Sequence, residues 1–326
     1  MADYIRKYTD RQEELFVKKI RRVYGQASEE VKEKILDYGK KYIVRSAELQ
    51  ELVNKGKLTK EWYERWLSGQ VFIGERWKQR LKDVTGVYVN ADKTARNILG
   101  NMMNDVFSLA ANYTAYSMEK DLRFGIAFNL YDTKTVERLL RDNPQMLPEW
   151  KIDEPKDYVW NRDRVENALT QGIIQGESIP EIADRLSTGL ATSNGKKMVL
   201  FARTAMTGAQ NAGRIDRMKQ SQEMGIDTRK KWLATLDAHT RDAHRALDGQ
   251  EQAVDDPFSS PLGPIDYPGD PSANPANTYN CRCSLLYVYP KYQSLNNATR
   301  YDNENREYIP DMTYAEWEKW KKGGRQ

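Results

Sequence analysis

Apolar residues recur at helical spacing through most of the first 150 positions. Asp10 to Tyr24 carries Leu15, Phe16, Ile20 and Val23 along one side. Ser28-Glu29-Glu30-Val31 predicts the opening of a second helix running to Leu52, and Thr59 is placed to cap a third, on which Trp62 and Trp66 share a face. Asp92 is expected to cap a long helix ending near Met118, with Ile98, Met102, Val106, Leu109 and Tyr113 as its stripe. Trp62, Trp66 and Trp77 are either partner anchors or core.

Pro144, Pro148 and Pro155 interrupt this pattern and predict a domain boundary near residue 150. Beyond it a helix is expected from Tyr158 to Gln175, stopped by Gly176. Ser178-Ile179-Pro180-Glu181 has the form of a capping box opening a short helix to Leu186. Lys196 to Gln222 reads as a long helix, with Ala202, Ala205, Ala209 and Ala212 allowing another segment to come close. Then the period changes. Lys231 to Leu236 alternates as a strand, 255–280 is a proline-rich loop, and Cys281 to Tyr289 reads as a second strand able to pair with the first.

The expected fold is therefore mainly α: a long-helix N-terminal region followed by an α+β C-terminal domain with a small antiparallel sheet and a Pro-rich loop. Residues 1–150 form the helical, partner-binding region, 151–295 the α+β domain, and 296–326 a polar tail with Trp317 and Trp320 on a terminal helix.

Composition refines this picture. Of 326 residues 39% are apolar and 30% charged, a balance suited to elongated, well-solvated helices. The 51 basic and 47 acidic residues nearly cancel, so charge alone does not mark a nucleic-acid binder. The longest apolar runs, Met198 to Ala202 and Leu285 to Tyr289, are far too short to cross a bilayer, and Met1 to Lys7 does not open a signal peptide. Only two cysteines occur, as Cys281-Arg282-Cys283, which rules out a disulfide framework and fits a reducing compartment.

Those cysteines carry the chemistry worth weighing. On an extended chain Cys281 and Cys283 face one way and Arg282 the other. Two thiolates with His244 from a neighbouring helix make a zinc ligand set lacking a fourth member, for which Asp237, His239, Asp248, Asp270 or water are open. Asp237 is better placed to cap the helix that Gly249 closes, since Asp237 and His244 stand about 10 Å apart along a helix axis. The plainer alternative is a pair of buried thiols and a histidine bonded to Thr240. Catalysis has little support: the chain has two histidines, and no nucleophile elbow, phosphate loop or H-E-x-x-H.

Taken in order, these residues resemble a known signature. Trp232-Leu-Ala-Thr-Leu-Asp237 with Thr240-Arg241, His244, Leu247-Asp248-Gly249, Phe258, Tyr267-Pro268-Gly269-Asp270-Pro271 and Asn280-Cys281-Arg282-Cys283 is similar to the phage Mu F-like minor head protein family, also called head morphogenesis proteins. Ala202-Arg203-Thr204-Ala205, Asn211 and Gly213-Arg214 resemble the helix that precedes it, and the likeness covers roughly 158–290.

The resemblance implies a non-enzymatic virion protein inside the head at the portal vertex, acting in head morphogenesis or DNA delivery and present in the host cytoplasm during assembly. Its expected partner is the portal protein. Major capsid protein, scaffolding protein and double-stranded DNA are further candidates, and no membrane is involved. It also strengthens a structural zinc at His244, Cys281 and Cys283, since the position matching His244 is Cys in some relatives. Some relatives have a histidine just before Asn-Cys-Arg-Cys, where Thr278-Tyr279 stands here. Asp237, Thr240, Arg241, Gly249, Asn280 and Arg282 are expected to frame the site.

Two alternatives stay open. Basic clusters such as Lys18 to Arg22, Arg76 to Lys82, Arg229 to Lys231 and Lys319 to Arg325 suit a sequence-independent DNA-binding ejection factor. A metal-dependent hydrolase, or a toxin-like domain of the kind sometimes fused to the family, is the other; no such extra domain is expected beyond residue 326.

Overall fold

The structure, a computed structural model, describes residues 2–122, 128–142, 154–291, 299–302, 307–310 and 316. Among the described residues, eight α-helices precede the first strand: α1 Ala2–Gly39, α2 Ile43–Asn54, α3 Lys60–Trp66, α4 Gly74–Leu122, α5 Thr133–Asp142, α6 Glu154–Gln175, α7 Ile179–Asp184 and α8 Leu190–Glu223. The described fold is mainly α with small antiparallel sheets near its C-terminal end, as the hydrophobic periodicity implies.

Several boundaries differ from the sequence reading. The break expected near Ser28 is absent, and α1 runs through it. Tyr24, Ala27, Val31 and Ile35 are all buried and keep one stripe unbroken, so packing overrides the local start signal. Asp92 does not cap a helix. It lies within α4, with Tyr24 Oη donating to its Oδ1 at 2.6 Å and Asn161 Nδ2 to its Oδ2 at 3.0 Å. Here a capping residue type serves as a buried acceptor. Thr59 does cap α3, accepting from the Trp62 amide at 3.2 Å. Ser178 and Glu181 form the expected capping box of α7. The proline-rich break at 143–153 and the terminal helix expected around Trp317 and Trp320 lie outside the described residues.

The chain divides into two compact units, each drawn from separate stretches: 17–98 with 150–199, and 1–16 with 99–149 and 200–326. In the first, the Asp92 cluster continues through Asn194 Nδ2 to Asn161 Oδ1 at 3.1 Å, and Tyr88 Oη donates to the Leu186 carbonyl at 2.6 Å. Trp77 packs edge-on against Phe72 in this core, ring centroids 4.9 Å apart, while Trp62 is exposed.

In the second unit, the alanine face of α8 is fully buried, and the backbone of α4 comes against it. A Cβ on Gly213 would lie 2.6 Å from the Phe107 carbonyl oxygen, so only glycine fits there. A three-stranded antiparallel sheet follows in the order β2-β1-β5: β1 Arg229–Leu233 lies between β2 Glu251–Ala253 and β5 Ser284–Val288. Leu233 pairs with Ser284, so the cysteines precede the strand rather than belonging to it, contrary to expectation. The loop expected over 255–280 holds a small hairpin, β3 Phe258–Ser260 with β4 Gly263–Ile265, and a short helix α10 Pro275–Thr278. Phe258 anchors the hairpin against Trp232, ring centroids 5.2 Å apart. A further hairpin, β6 Thr299–Asp302 with β7 Glu307–Pro310, completes the described strands.

Candidate metal centre

His244 sits on α9 Asp242–Leu247, a helix too short to hold itself. Burial of Ala243, His244 and Leu247 fixes it, and the His244 ring packs against Trp232 with centroids 5.5 Å apart. Its Nδ1 lies 3.5 Å from Cys283 Sγ and 3.7 Å from Cys281 Sγ. All three ligand atoms fall within 4.8 Å of one another and all three residues are buried. On the far side of the ring, Nε2 meets the Asn277 carbonyl at 2.9 Å. A neutral imidazole therefore keeps its proton on Nε2 and turns the Nδ1 lone pair toward the two sulfurs. Asn277 is itself held: it accepts from Ser260 Oγ at 3.1 Å and donates to the Gly263 carbonyl at 3.2 Å.

The protons are distributed unevenly. Burial pushes the Cys281 thiol well above its ordinary range. Burial opposes ionisation of Cys283 as well, but hydrogen bonds from Cys281 and His244 outweigh it and bring Cys283 well below that range. Burial pushes the imidazole down, and the hydrogen bond and charge of Cys283 outweigh that, so His244 is raised. Burial thus favours the thiol form of Cys281, while Cys283 and His244 each shift toward the charged form in the other's presence.

This donor set fits zinc. In a tetrahedral site with Zn–S of about 2.3 Å and Zn–N of about 2.0 Å, nitrogen–sulfur edges are about 3.5 Å. The two observed nitrogen–sulfur separations, 3.5 and 3.7 Å, match that edge.

The suggested fourth ligands are engaged elsewhere. Asp237 takes a two-pronged contact from Arg282, through Nη1 to Oδ2 and through Nη2 to Oδ1 at 2.8 Å. Asp237 Oδ1 also accepts the His239 amide at 2.9 Å and lies 3.3 Å from Thr240 Oγ1. It thus caps a turn, and α9 begins only at Asp242. His239 is exposed, Asp248 accepts the Ala234 amide at 2.7 Å, and Asp270 accepts the Asp266 and Ser272 amides. Among the described residues, only His244, Cys281 and Cys283 form the cluster. Thr240 hydrogen-bonds the Thr235 carbonyl at 2.5 Å rather than the histidine. Arg241 donates to the Tyr279 carbonyl, Gly249 takes a positive φ just past α9, and Asn280 is held at φ 55°.

A second set of residues holds this segment in place. Thr207, Asn211 and Arg214 lie on one face of α8 and donate in turn to the carbonyls of Cys281 at 2.9 Å, Cys283 at 3.3 Å and Leu285 at 2.6 Å. Asn211 Nδ2 also reaches the Pro268 carbonyl at 3.0 Å, and its Oδ1 accepts the Leu285 amide at 3.1 Å. Sequence reasoning did not assign Thr207 or Asn277. Thr207, Asn211 and Arg214 recur at helical spacing on the side of α8 opposite its alanines, and that polar stripe was the available signal for Thr207; nothing local marks Asn277.

Comparison with known proteins points the same way. The family model described as "Phage Mu protein F like protein" matches residues 163–286, which include the whole cluster. "Minor head protein GP7" of Bacillus phage SPP1 is 32% identical over 252 residues, 74% of this chain and 77% of that protein. "NAD(+)--arginine ADP-ribosyltransferase EFV" of Enterococcus faecalis (strain ATCC 700802 / V583) is 32% identical over 157 residues, 47% of this chain and 30% of that protein. No solved structure matches.

Proposed function

We propose, from the premise that this chain belongs to the phage Mu protein F-like family of minor head proteins, that it is a virion component seated inside the head at the portal vertex and serving head morphogenesis. The carrying observation is the likeness to the SPP1 minor head protein, which extends over three quarters of both chains rather than over the motif region alone. The portal protein is the partner, and the helices before residue 150 offer the length of surface such a contact needs. The test is assembly of heads from capsid, scaffolding and this chain, with and without portal. Incorporation in few copies that depends on portal supports the reading. Equal incorporation without portal overturns it.

We read the chain as non-enzymatic. The ADP-ribosyltransferase likeness covers 30% of that protein, and the activity in its name is said of that protein. Among the described residues the cysteine–histidine cluster is sealed, with His244 and Cys283 each 2% exposed, which leaves no open face for a substrate.

The cluster in turn holds one structural zinc through His244 Nδ1, Cys281 Sγ and Cys283 Sγ. Bound there, the ion ties α9 to the chain entering β5 and so closes the base of the 255–280 segment. Long loops are stabilised most by clips at their ends. Elemental analysis reading one zinc per chain, lost together with thermal stability in Cys283→Ser, is the expected result. A metal-free chain whose Cys283→Ser form melts unchanged refutes it.

A further inference from the structure

Arg214 presents a separate problem. It is 4% exposed, and one nitrogen, Nη1, donates to the Leu285 carbonyl at 2.6 Å. Its Nε and Nη2 are buried with no acceptor. Burial and the nearby Arg6 cation lower its pKa to about 10, which still leaves the guanidinium charged at neutral pH. No carboxylate is among the charges acting on it. A buried charge in that condition is costly unless something neutralises it.

Other buried cations of the same unit have carboxylates near them, although Arg217 Nε is also without an acceptor. Arg217 lies 3.6 Å over the Tyr131 ring, donates to the Asn129 carbonyl at 2.7 Å and has Asp216 beside it. Lys230 donates to the Asp266 carbonyl at 3.0 Å and has Asp266, Asp255 and Asp256 near. Arg214 instead borders a small cavity whose wall includes the hydroxyl residues Thr114 and Ser117 and the apolar Ile5, Met218 and Leu285. Tyr287 also lines it, but its hydroxyl donates to Asp121 at 2.6 Å.

We propose that this cavity binds one small monovalent anion of the chloride class, held by the free Nε and Nη2 of Arg214 and the hydroxyls of Thr114 and Ser117. The space suits a guest of roughly water size, which excludes phosphate and sulfate. The partly apolar wall favours a weakly hydrated, polarisable halide over fluoride. Such an ion neutralises the Arg214 clamp on β5 and thereby fastens β5 to α8. The inference does not depend on the zinc or on the portal reading.

The test uses the full chain. Thermal unfolding is followed in sodium chloride and in sodium glutamate at matched ionic strength, since glutamate is too large for the cavity. Melting temperature should rise with the logarithm of chloride concentration above the dissociation constant, and bromide should substitute. Crystals grown in bromide should show an anomalous peak beside Arg214. Arg214→Met should remove the halide dependence. If that variant does not fold, Thr114→Val should weaken apparent halide affinity several-fold in a chain that does. Identical melting in halide and glutamate, with no bromide peak, would overturn the proposal and assign the space to water.

Discussion

Gly208 and Gly269 meet backbone to backbone. A Cβ on Gly208 would stand 2.8 Å from the Gly269 carbonyl oxygen, and one on Gly269 would stand 2.5 Å from the Gly208 nitrogen. Gly269 also has φ +85°, a conformation that side chains resist. In an open helix Gly→Ala would stabilise, but here the obstacle is backbone, which cannot swing aside. Gly208→Ala should therefore cost about 1–3 kcal/mol, and Gly269→Ala more. Gly225, with φ +82° and nothing near its Cβ position, is the control and should cost only about 1 kcal/mol. Urea unfolding measures all three, and a Gly208→Ala chain as stable as the parent would refute the close approach.

Asp237 and Arg282 make a second testable pair. Burial would raise the Asp237 carboxyl, but Arg282, the His239 amide and the Thr240 hydroxyl outweigh it and hold it below the usual carboxylate range. A depressed acid contributes stability that is full above its unfolded value and fades as pH falls through the lower folded value. Arg282→Met should flatten stability below about pH 4 and cost about 2 kcal/mol at pH 7, a figure reduced because Arg282 is partly solvated. Chemical denaturation at a series of pH values reads both effects.

Lys230 gives the opposite pH signature. Burial foremost lowers its pKa to about 8. The folded chain thus tolerates the neutral amine better than the charged one, and stability rises between about pH 8 and the unfolded value of about 10.4. The rise amounts to roughly 3 kcal/mol if the shift is taken at face value. Lys230→Met should remove it. A variant and parent with the same slope over that window would show that the amine is not the cause.

Metal binding should release protons in a countable way. Burial holds one proton on Cys281, and a second is shared between Cys283, shifted toward the thiolate, and His244, shifted toward the cation. Coordination by all three requires both protons to leave. Calorimetric titration of zinc at pH 7, repeated in buffers of different ionisation enthalpy, should give about two protons per ion. Release of three would mean that Cys283 and His244 are both protonated before the metal enters, so that neither lowers the other's proton count.

What the sequence disclosed was mostly local. The Ser178–Glu181 box, the Thr59 cap and the alanine face of α8 are short-range patterns, and each forms as expected. The alternation that sends Cys281 and Cys283 inward and Arg282 outward is equally short-range. The failures are all tertiary. Arg282 is 45 residues from Asp237, and Asn277 is 33 from His244. No spacing rule links such pairs. The β3–β4 hairpin was hidden because its prolines and glycine read as loop, while Phe258 against Trp232 supplies what makes it a hairpin.

The α8 residues that grip the cysteine segment address only its main chain. Thr207, Asn211 and Arg214 bond carbonyls, and so take hold of whatever residues pass beneath them. These bonds are thus indifferent to side-chain identity, and the limit on residue size here is set instead by the burial of Ser284 and Leu285. Selection is left free to act on Cys281, Arg282 and Cys283 for what their side chains do.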